Sequence, residues 1–405
     1  MSTARVRAPG REFVLDDAVL ERAQAARPAP GATGPAPARL VFAAAHLPML
    51  PGYAHAAPAS ALAAHVDWAG ADAVRLHLDA CGFGVAEAMD TAQRFEIGWD
   101  LAAQLICRCG ALPLTRPWVA GAATDHLETV RGPADLVEGV LHQIEVIRAA
   151  GGWPVLLPMP WLPRNHAPPE QYVEVYAAIV ARAEGPLFVH WLGDMFLPEL
   201  RGYFPGDSFA RVMALDPAKV RGAKISLLDA ELEVRLRRDL LGDGQLLLTG
   251  DDLHFGRLIL GGAAGGDPPA TAPVPLGTAR IAGHAVPVGD FSHGLLGVFD
   301  AVAAPMQLAL QDLARGAAAD FLDLAAPCEA LGRHLFAAPT EHYKAGLAFL
   351  AWVNGRHQAF LLPRRAETRR DLPHLLRAAE LASAAGALQD APAAAARLNT
   401  LLDSA

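Results

Sequence analysis

Eight short apolar runs, each followed by a stretch with helical spacing, set the architecture open to this 405-residue chain. The runs are RLVFAAAH (39–46), GVAEAM (84–89), PWVAGAATD (117–125), WPVLLPMP (153–160), PLFVHWLG (186–193), GAKISLL (222–228), QLLLTGDD (245–252) and GLLGVFDA (294–301). Among the intervening stretches, PADLVEGVLHQIEVIRAAGG has apolar residues at helical spacing and a glycine stop. PPEQYVEVYAAIVARAEG has the same form and starts with proline. Strand and helix repeated eight times is the arithmetic of a (β/α)8 barrel. A doubly wound open sheet is the competing arrangement, but no GxGxxG follows the first run.

The remaining segments flank or interrupt this rhythm. Residues 1–37 read as an N-terminal arm ending in the Pro/Gly/Ala-rich linker RPAPGATGPAPA (27–38). Residues 38–305 carry the barrel, with a Gly/Pro-rich insertion at about 261–290. The insertion contains a hairpin pattern, TARIAGHAVPV, and the sequence does not say which face of the barrel it meets. Residues 306–405 are Ala/Leu-rich and helical, and are expected to pack on the barrel or to form a subunit interface.

Composition narrows the function classes. Hydrophobic residues make up 52% and charged residues 19%, which describes a well-buried globular protein. A net charge of −9 argues against nucleic acid as a partner. No run reaches the roughly 18 apolar residues of a membrane span. The N-terminus has no apolar core like that of a signal peptide, so the expected location is cytoplasmic. Cys107 and Cys109 form a CxC on a helical stretch, with Cys81 and Cys328 alone. No CxxC or HxH completes a zinc set, so all four read as reduced thiols.

Of the 34 basic residues only Lys219, Lys224 and Lys344 are lysines. Lys219 sits in the turn-like DPAKV and reads as a surface residue. Lys224 lies within a run that should be buried. Burial lowers a lysine pKa toward neutrality. A neutral amine adds to ketones and aldehydes to give a Schiff base, which arginine cannot do. The other reading is a structural lysine paired to Glu87 or Asp251.

Barrel catalytic groups project from the C-terminal ends of the strands. The polar residues ending the runs include His46, Glu87, Asp90, Thr124, Asp125, His126, His190, Asp194, Lys224, Ser226, Asp229, Thr249, Asp251, Asp252, His254 and Asp300. Of these, Lys224, His190 and Glu87 are assigned catalytic roles: nucleophile, proton carrier and buried partner. Asp90, Asp125, Ser226, Asp229, Thr249, Asp251 and Asp252 are assigned to substrate binding. One aspartate of TGDD is expected to cap a helix instead.

Several motifs then carry a resemblance: GFGVAEAMDTAQR (82–94), VHWLGDMF (189–196), GAKISLLDAE (222–231), TGDD (249–252) and APTEHYKAGLAFLAWVNG (338–355). With these the chain resembles the dihydrodipicolinate synthase and N-acetylneuraminate lyase superfamily of class I aldolases. It is most similar to the branch catalogued as a domain of unknown function, over roughly residues 38–390. The resemblance implies that Lys224 is the Schiff-base lysine of the sixth strand, that TGDD is largely structural, and that Lys344 is structural rather than catalytic. It also implies a homodimer or homotetramer. Two departures stand out. The Thr/Ser-rich GTTGE-like turn that holds pyruvate in such enzymes is GVAEA here, so a pyruvate donor does not carry over. The proton-shuttling tyrosine of the fifth strand aligns with His190.

These readings lead to a lyase that cleaves or dehydrates a small carbonyl compound, such as a keto-sugar or keto-acid derivative, without a cofactor. One alternative is a divalent-metal-dependent isomerase, epimerase or aldolase, with Glu87, Asp125, His190 and His254 as ligands. The other is a barrel that binds a ligand without chemistry.

Overall fold

The eight apolar runs fold as the eight parallel strands of a closed barrel. The structure, a computed structural model, describes residues 2–26, 38–53 and 59–404. In chain order the strands are β1 (Thr3–Ala8), β2 (Arg11–Asp16), β3 (Val41–Ala44), β4 (Gly84–Glu87), β5 (Val119–Ala122) and β6 (Trp153–Leu156). Then follow β7 (Leu187–Leu192), β8 (Val220–Ser226), β9 (Leu246–Thr249), β10 (Gly277–Ile281), β11 (His284–Val288) and β12 (His293–Leu296). The barrel runs from β3 to β9 in sequence order and closes through β12, which pairs with both β9 and β3. Every residue of β3, β4, β5, β6, β9 and β12 is buried. Parallel strands covered by helices on one side and by the barrel core on the other require this, and it is why the runs read as continuous rather than alternating.

The inserted hairpin is β10–β11, and it closes the N-terminal end of the barrel. Ala279, Ile281, Val286 and Val288 join one apolar cluster with the interior residues Phe42, Val119, Trp153, Phe188 and Leu246. Trp153 stands edge-on to His284, and His293 bonds the carbonyl of Pro287 through Nε2 at 3.0 Å. Trp153 and His293 are the first residues of their strands, so the hairpin sits opposite the catalytic face. Its turn places Ala282 and Gly283 at φ +45° and +86°, the backbone that a two-residue hairpin loop needs to match strand twist.

The N-terminal arm is ordered where it is described. β1 and β2 form an antiparallel hairpin that docks on the C-terminal helices. Asn399 holds both Arg5 and Arg7 of β1 by backbone hydrogen bonds, and Ser383 holds Asp16. The linker expected at 27–38 lies almost wholly outside the described residues. The helix Phe299–Ala314 follows β12 and runs through residue 305, with Pro305 inside it. Further helices span Ala318–Leu335, Lys344–Val353, Leu372–Ala384 and Ala391–Asp403. No helix among the described residues is long and apolar enough to cross a membrane.

The connections between these C-terminal helices lie over the C-terminal mouth of the barrel. The amide of Met49 donates to the carbonyl of Leu361, and Gln93 Nε2 donates to that of Pro363. A buried chain adds to the clamp. Asp300 accepts from His46 Nδ1 at 2.5 Å, and His46 Nε2 meets His357 Nε2 at 3.0 Å. His357 Nδ1 in turn donates to the carbonyl of Ala359. With both Nδ1 atoms donating, the contact between the Nε2 atoms is a hydrogen bond only if one ring carries two protons. Burial, and then the neighbouring His46, hold His357 down at about 3.

His357→Phe should therefore leave His46 Nε2 and the carbonyl of Ala359 without this buried partner. The expected loss is about 1–3 kcal/mol of unfolding free energy, read from chemical denaturation. An unchanged midpoint would show that the histidine chain does not hold the C-terminal region.

Candidate active site

Lys224 comes into the mouth of the barrel because of strand periodicity. It sits on β8, two residues from Ser226, so both side chains point to the same face. The pocket above them encloses about 300 Å³, part of it open to solvent. Its polar lining is Asp90, Thr91, Lys224, Ser226, Asp252 and Tyr343, and its apolar walls are Met89, Leu192, Phe196 and Phe336. Gly250 makes room for the lysine. A Cβ there would stand 2.1 Å from Ser226 Oγ and 2.8 Å from Lys224 Cε, so no larger residue fits.

Lys224 is 7% exposed, and its amine makes no hydrogen bond or ion-pair contact among the described residues. Burial brings its pKa down to about 8, against the pull of the carboxylates of Asp252 and Asp90. Asp252 is its electrostatic partner. Burial pushes that carboxyl up to about 7, while the amide of Val298, 2.7 Å away, and the charge of Lys224 act the other way. Near neutral pH the site thus holds an amine and a carboxyl that both exchange protons readily. Only a pair removed from water behaves so.

His190 lies directly across from Lys224 in the β7–β8 register. It is 1% exposed and is not part of the pocket wall. Its Nε2 meets Ser226 Oγ at 3.2 Å, and its Nδ1 has no hydrogen-bond partner among the described residues. Burial first, and the charge of Lys224 second, keep the ring neutral. The expected proton carrier is therefore a support behind Ser226, and Ser226 is the group it presents to the cavity.

The other expected site residues divide sharply. Asp90 lines the pocket, accepts from Tyr343 Oη at 2.9 Å and pairs with Lys344 Nζ at 3.5 Å. That contact gives Lys344 its structural place. Glu87 belongs elsewhere. It faces the helix Trp68–Ala80, where Arg75 binds both of its oxygens at 2.5 and 2.8 Å. With the amide of Ala88 also donating to it, this fully buried carboxylate is satisfied away from the pocket, whose wall it does not join. Neither catalysis nor pairing with Lys224 fits that position. Asp125 is likewise closed by Arg94 at 2.8 and 2.9 Å and by Gln143. Asp229 caps the helix Ala230–Leu241 through the amide of Leu232. Thr249 donates to Glu233 on that helix, outside the barrel core. Asp251 accepts from the amides of Leu253 and His254 in the turn before the helix Phe255–Leu260, whose N-cap is His254 with no side-chain cap, so the expected capping aspartate is not found there.

The metal set does not assemble. Glu87 and Asp125 are held by arginines and His190 by Ser226, while His254 is 48% exposed and bonded to Asp251. Among the described residues no group of three or more His, Cys, Asp or Glu side chains is placed to hold a metal ion. The four cysteines are free thiols. Lys219 donates to the carbonyls of Val180 and Ala181, away from the mouth of the barrel.

Two pocket residues escaped the sequence reading. Thr91 follows β4 within the expected GVAEAMDTA stretch, four residues beyond the strand end. It supplies a hydroxyl where the GVAEA comparison found none. Tyr343 precedes Lys344 in the C-terminal HYKAG, and its ring stacks on Phe336 at 4.1 Å. The signal for both was a lone hydroxyl residue in a motif whose other members were weighed first.

A family model described as "Protein of unknown function (DUF993)" matches residues 14–405. The chain belongs to this family. No curated protein matches the sequence. Among solved structures the DUF993 barrel is similar to a dihydrodipicolinate synthase from Agrobacterium tumefaciens at 17% identity and a TM-score of 0.59. That match covers 86% of this chain and 98% of the other. A putative dihydrodipicolinate synthetase from Pseudomonas aeruginosa is similar at 12% identity and a TM-score of 0.59, covering 85% and 98%. N-acetylneuraminate lyase from Fusobacterium nucleatum, complexed with pyruvate, is similar at 11% identity and a TM-score of 0.55, covering 86% and 97%. The resemblance found in the sequence motifs thus extends to the fold of the whole barrel.

The electrostatics give a signed prediction. Reaction of Lys224 with a small ketone, trapped by borohydride, should rise with pH to half-maximum near 8 rather than near the ordinary 10.5. Asp252→Asn removes a charge that favours the ammonium, so the midpoint should move lower. A midpoint above that of the parent protein would contradict the pairing.

Proposed function

We propose that this DUF993 protein is a Schiff-base lyase acting through Lys224 on a small uncharged carbonyl compound. The observation that carries the reading is the buried amine, unpartnered among the described residues, at the mouth of a (β/α)8 barrel, its pKa lowered by the same burial that raises that of Asp252. The fold shared with dihydrodipicolinate synthases and N-acetylneuraminate lyases supports it.

The chemistry runs from the residues present. The neutral amine of Lys224 adds to the carbonyl carbon, and the carbinolamine hydroxyl leaves as water once protonated. Asp252 stands beside the amine with a pKa suited to giving that proton and taking it back on hydrolysis. The resulting iminium is an electron sink. A bond β to it then breaks, either carbon–carbon in a retro-aldol cleavage or carbon–oxygen in a dehydration. Ser226, backed by neutral His190, offers a hydroxyl to a substrate oxygen.

The substrate class follows from the lining. Among the described residues Lys224 is the only cationic side chain in the pocket wall, and in the iminium its charge is held at the reacting nitrogen. Asp90 and Asp252 face inward, and Thr91, Ser226 and Tyr343 add hydroxyls. Placing a substrate carboxylate beside two carboxylates is unfavourable, whereas hydroxyls can donate to them. A polyhydroxylated ketone suits this lining better than an α-keto acid.

The test is borohydride trapping with hydroxyacetone, dihydroxyacetone and pyruvate, followed by peptide mass analysis. The neutral ketones should leave an adduct on Lys224, at least ~10-fold more than pyruvate, and none in Lys224→Arg. No adduct from any ketone would refute the Schiff-base reading. Equal adducts from pyruvate would refute only the substrate class.

A further inference from the structure

A lyase of this kind must move a second proton, away from the nitrogen. In a retro-aldol step the substrate hydroxyl loses its proton as the carbon–carbon bond breaks. The bond pair flows into the iminium to form an enamine, and the carbonyl fragment leaves. The enamine carbon must then regain a proton before the product is hydrolysed from Lys224. Asp252 sits at the amine and is already engaged by the amide of Val298.

A different group of side chains in the pocket forms a continuous chain. Tyr343 Oη donates to Asp90 Oδ2 at 2.9 Å. Thr91 Oγ1 lies 2.7 Å from Tyr343 Oη. Because the tyrosine proton is already committed to a carboxylate, the threonine must be the donor in that second bond. Thr91 therefore keeps its lone pairs for the cavity. At the far end Asp90 Oδ1 lies 3.5 Å from Lys344 Nζ, and its side chain is 25% exposed. Tyr343 is 3% exposed and Thr91 2% exposed. The chain thus runs from two buried hydroxyls in the pocket wall to a carboxylate in contact with solvent.

We infer that Thr91, Tyr343 and Asp90 form the proton relay of the reaction, with Tyr343 contributed by the C-terminal region rather than by a barrel strand. The inference rests on the Schiff-base reading. In the cleavage step the substrate hydroxyl proton passes to Thr91 Oγ1, the threonine proton to Tyr343 Oη, and the tyrosine proton to Asp90. In the second step the three transfers reverse and the proton reaches the enamine carbon. No proton is gained or lost over the cycle, and no co-reactant is needed. Both hydroxyls remain neutral between transfers, as burial of Tyr343 requires. The aromatic stack of Tyr343 on Phe336 fixes the phenol in place, and Gly297 leaves room for it, since a Cβ there would lie 2.9 Å from the ring.

Hydroxyacetone in D2O provides the test. Enamine formation at Lys224 exchanges its carbon-bound protons for deuterium, which proton NMR reads, and borohydride trapping separately reads the imine. Lys224→Arg sets the uncatalysed baseline. Tyr343→Phe keeps the ring stack, and Thr91→Val keeps the shape of threonine. Both should trap adduct within about twofold of the parent protein and lose exchange by ~100-fold or more. Thr91→Ser, which retains the hydroxyl, should stay within about tenfold of the parent. If Tyr343→Phe does not fold, the Thr91→Val and Thr91→Ser pair decides alone. A folded Tyr343→Phe or Thr91→Val that exchanges like the parent overturns the relay, and so does a parallel fall of trapping and exchange, which is what a merely structural role would give. Absence of any adduct in the parent protein overturns the Schiff-base reading as well, and is thereby told apart from failure of the relay alone.

Discussion

One ammonium buried with no bonded partner among the described residues is the constraint around which this barrel is arranged. Removing a charge from water costs several kcal/mol unless it is paired or neutralised. At three other buried sites that cost is offset by a bonded partner. Arg75 closes on Glu87, Arg94 on Asp125, and His46 on Asp300. Lys224 receives only the unbonded pull of Asp252 and Asp90, and burial raises the pKa of Asp252 to about 7. The amine is left able to lose its proton, and that is the condition for covalent chemistry.

The closed pairs also explain why proximity to a strand end is a poor guide to the site. Glu87 ends a barrel strand and Asp125 lies three residues beyond one, yet each turns to an arginine from the surrounding helices. These contacts fasten the outer shell to the barrel and leave the mouth to fewer groups. The cavity that remains is anionic in its side chains and rich in hydroxyls. It is bounded partly by residues from beyond the barrel, with Phe336 and Tyr343 arriving from the connections between C-terminal helices. The C-terminal region therefore completes the pocket. Its attachment through His357 and the carbonyls of Leu361 and Pro363 bears on function as well as on stability.

Both ends of the barrel are stopped, by different means. At the N-terminal end the β10–β11 hairpin inserts apolar side chains among the interior residues and excludes water. At the C-terminal end the lining is polar and partly open. The same closed sheet thus has a dry floor and a reactive mouth, and Lys224 and His190 sit in register between them. Burial from below lowers the affinity of both for protons, which is why His190 is neutral and can act only through Ser226.

The sequence by itself determined the eight strands, their order and the inserted hairpin, because each buried strand must be an apolar run of limited length between turn residues. It also singled out Lys224, since a lysine inside such a run in an arginine-rich chain has few other uses. Asp90, Ser226 and Asp252 were legible as strand-end polar residues, but Glu87, Asp125, Asp229, Thr249 and Asp251 were equally so. Alternation along a strand gives which residues share a face, but not whether an arginine from another element waits there. That pairing joins residues as far apart as Arg94 and Asp125. Tyr343 and Thr91 are the extreme case, 252 positions apart in the chain and 2.7 Å apart in space. Only the packing of the C-terminal helices against the barrel brings them together, because a long-range contact depends on the whole fold and leaves no local period in the sequence.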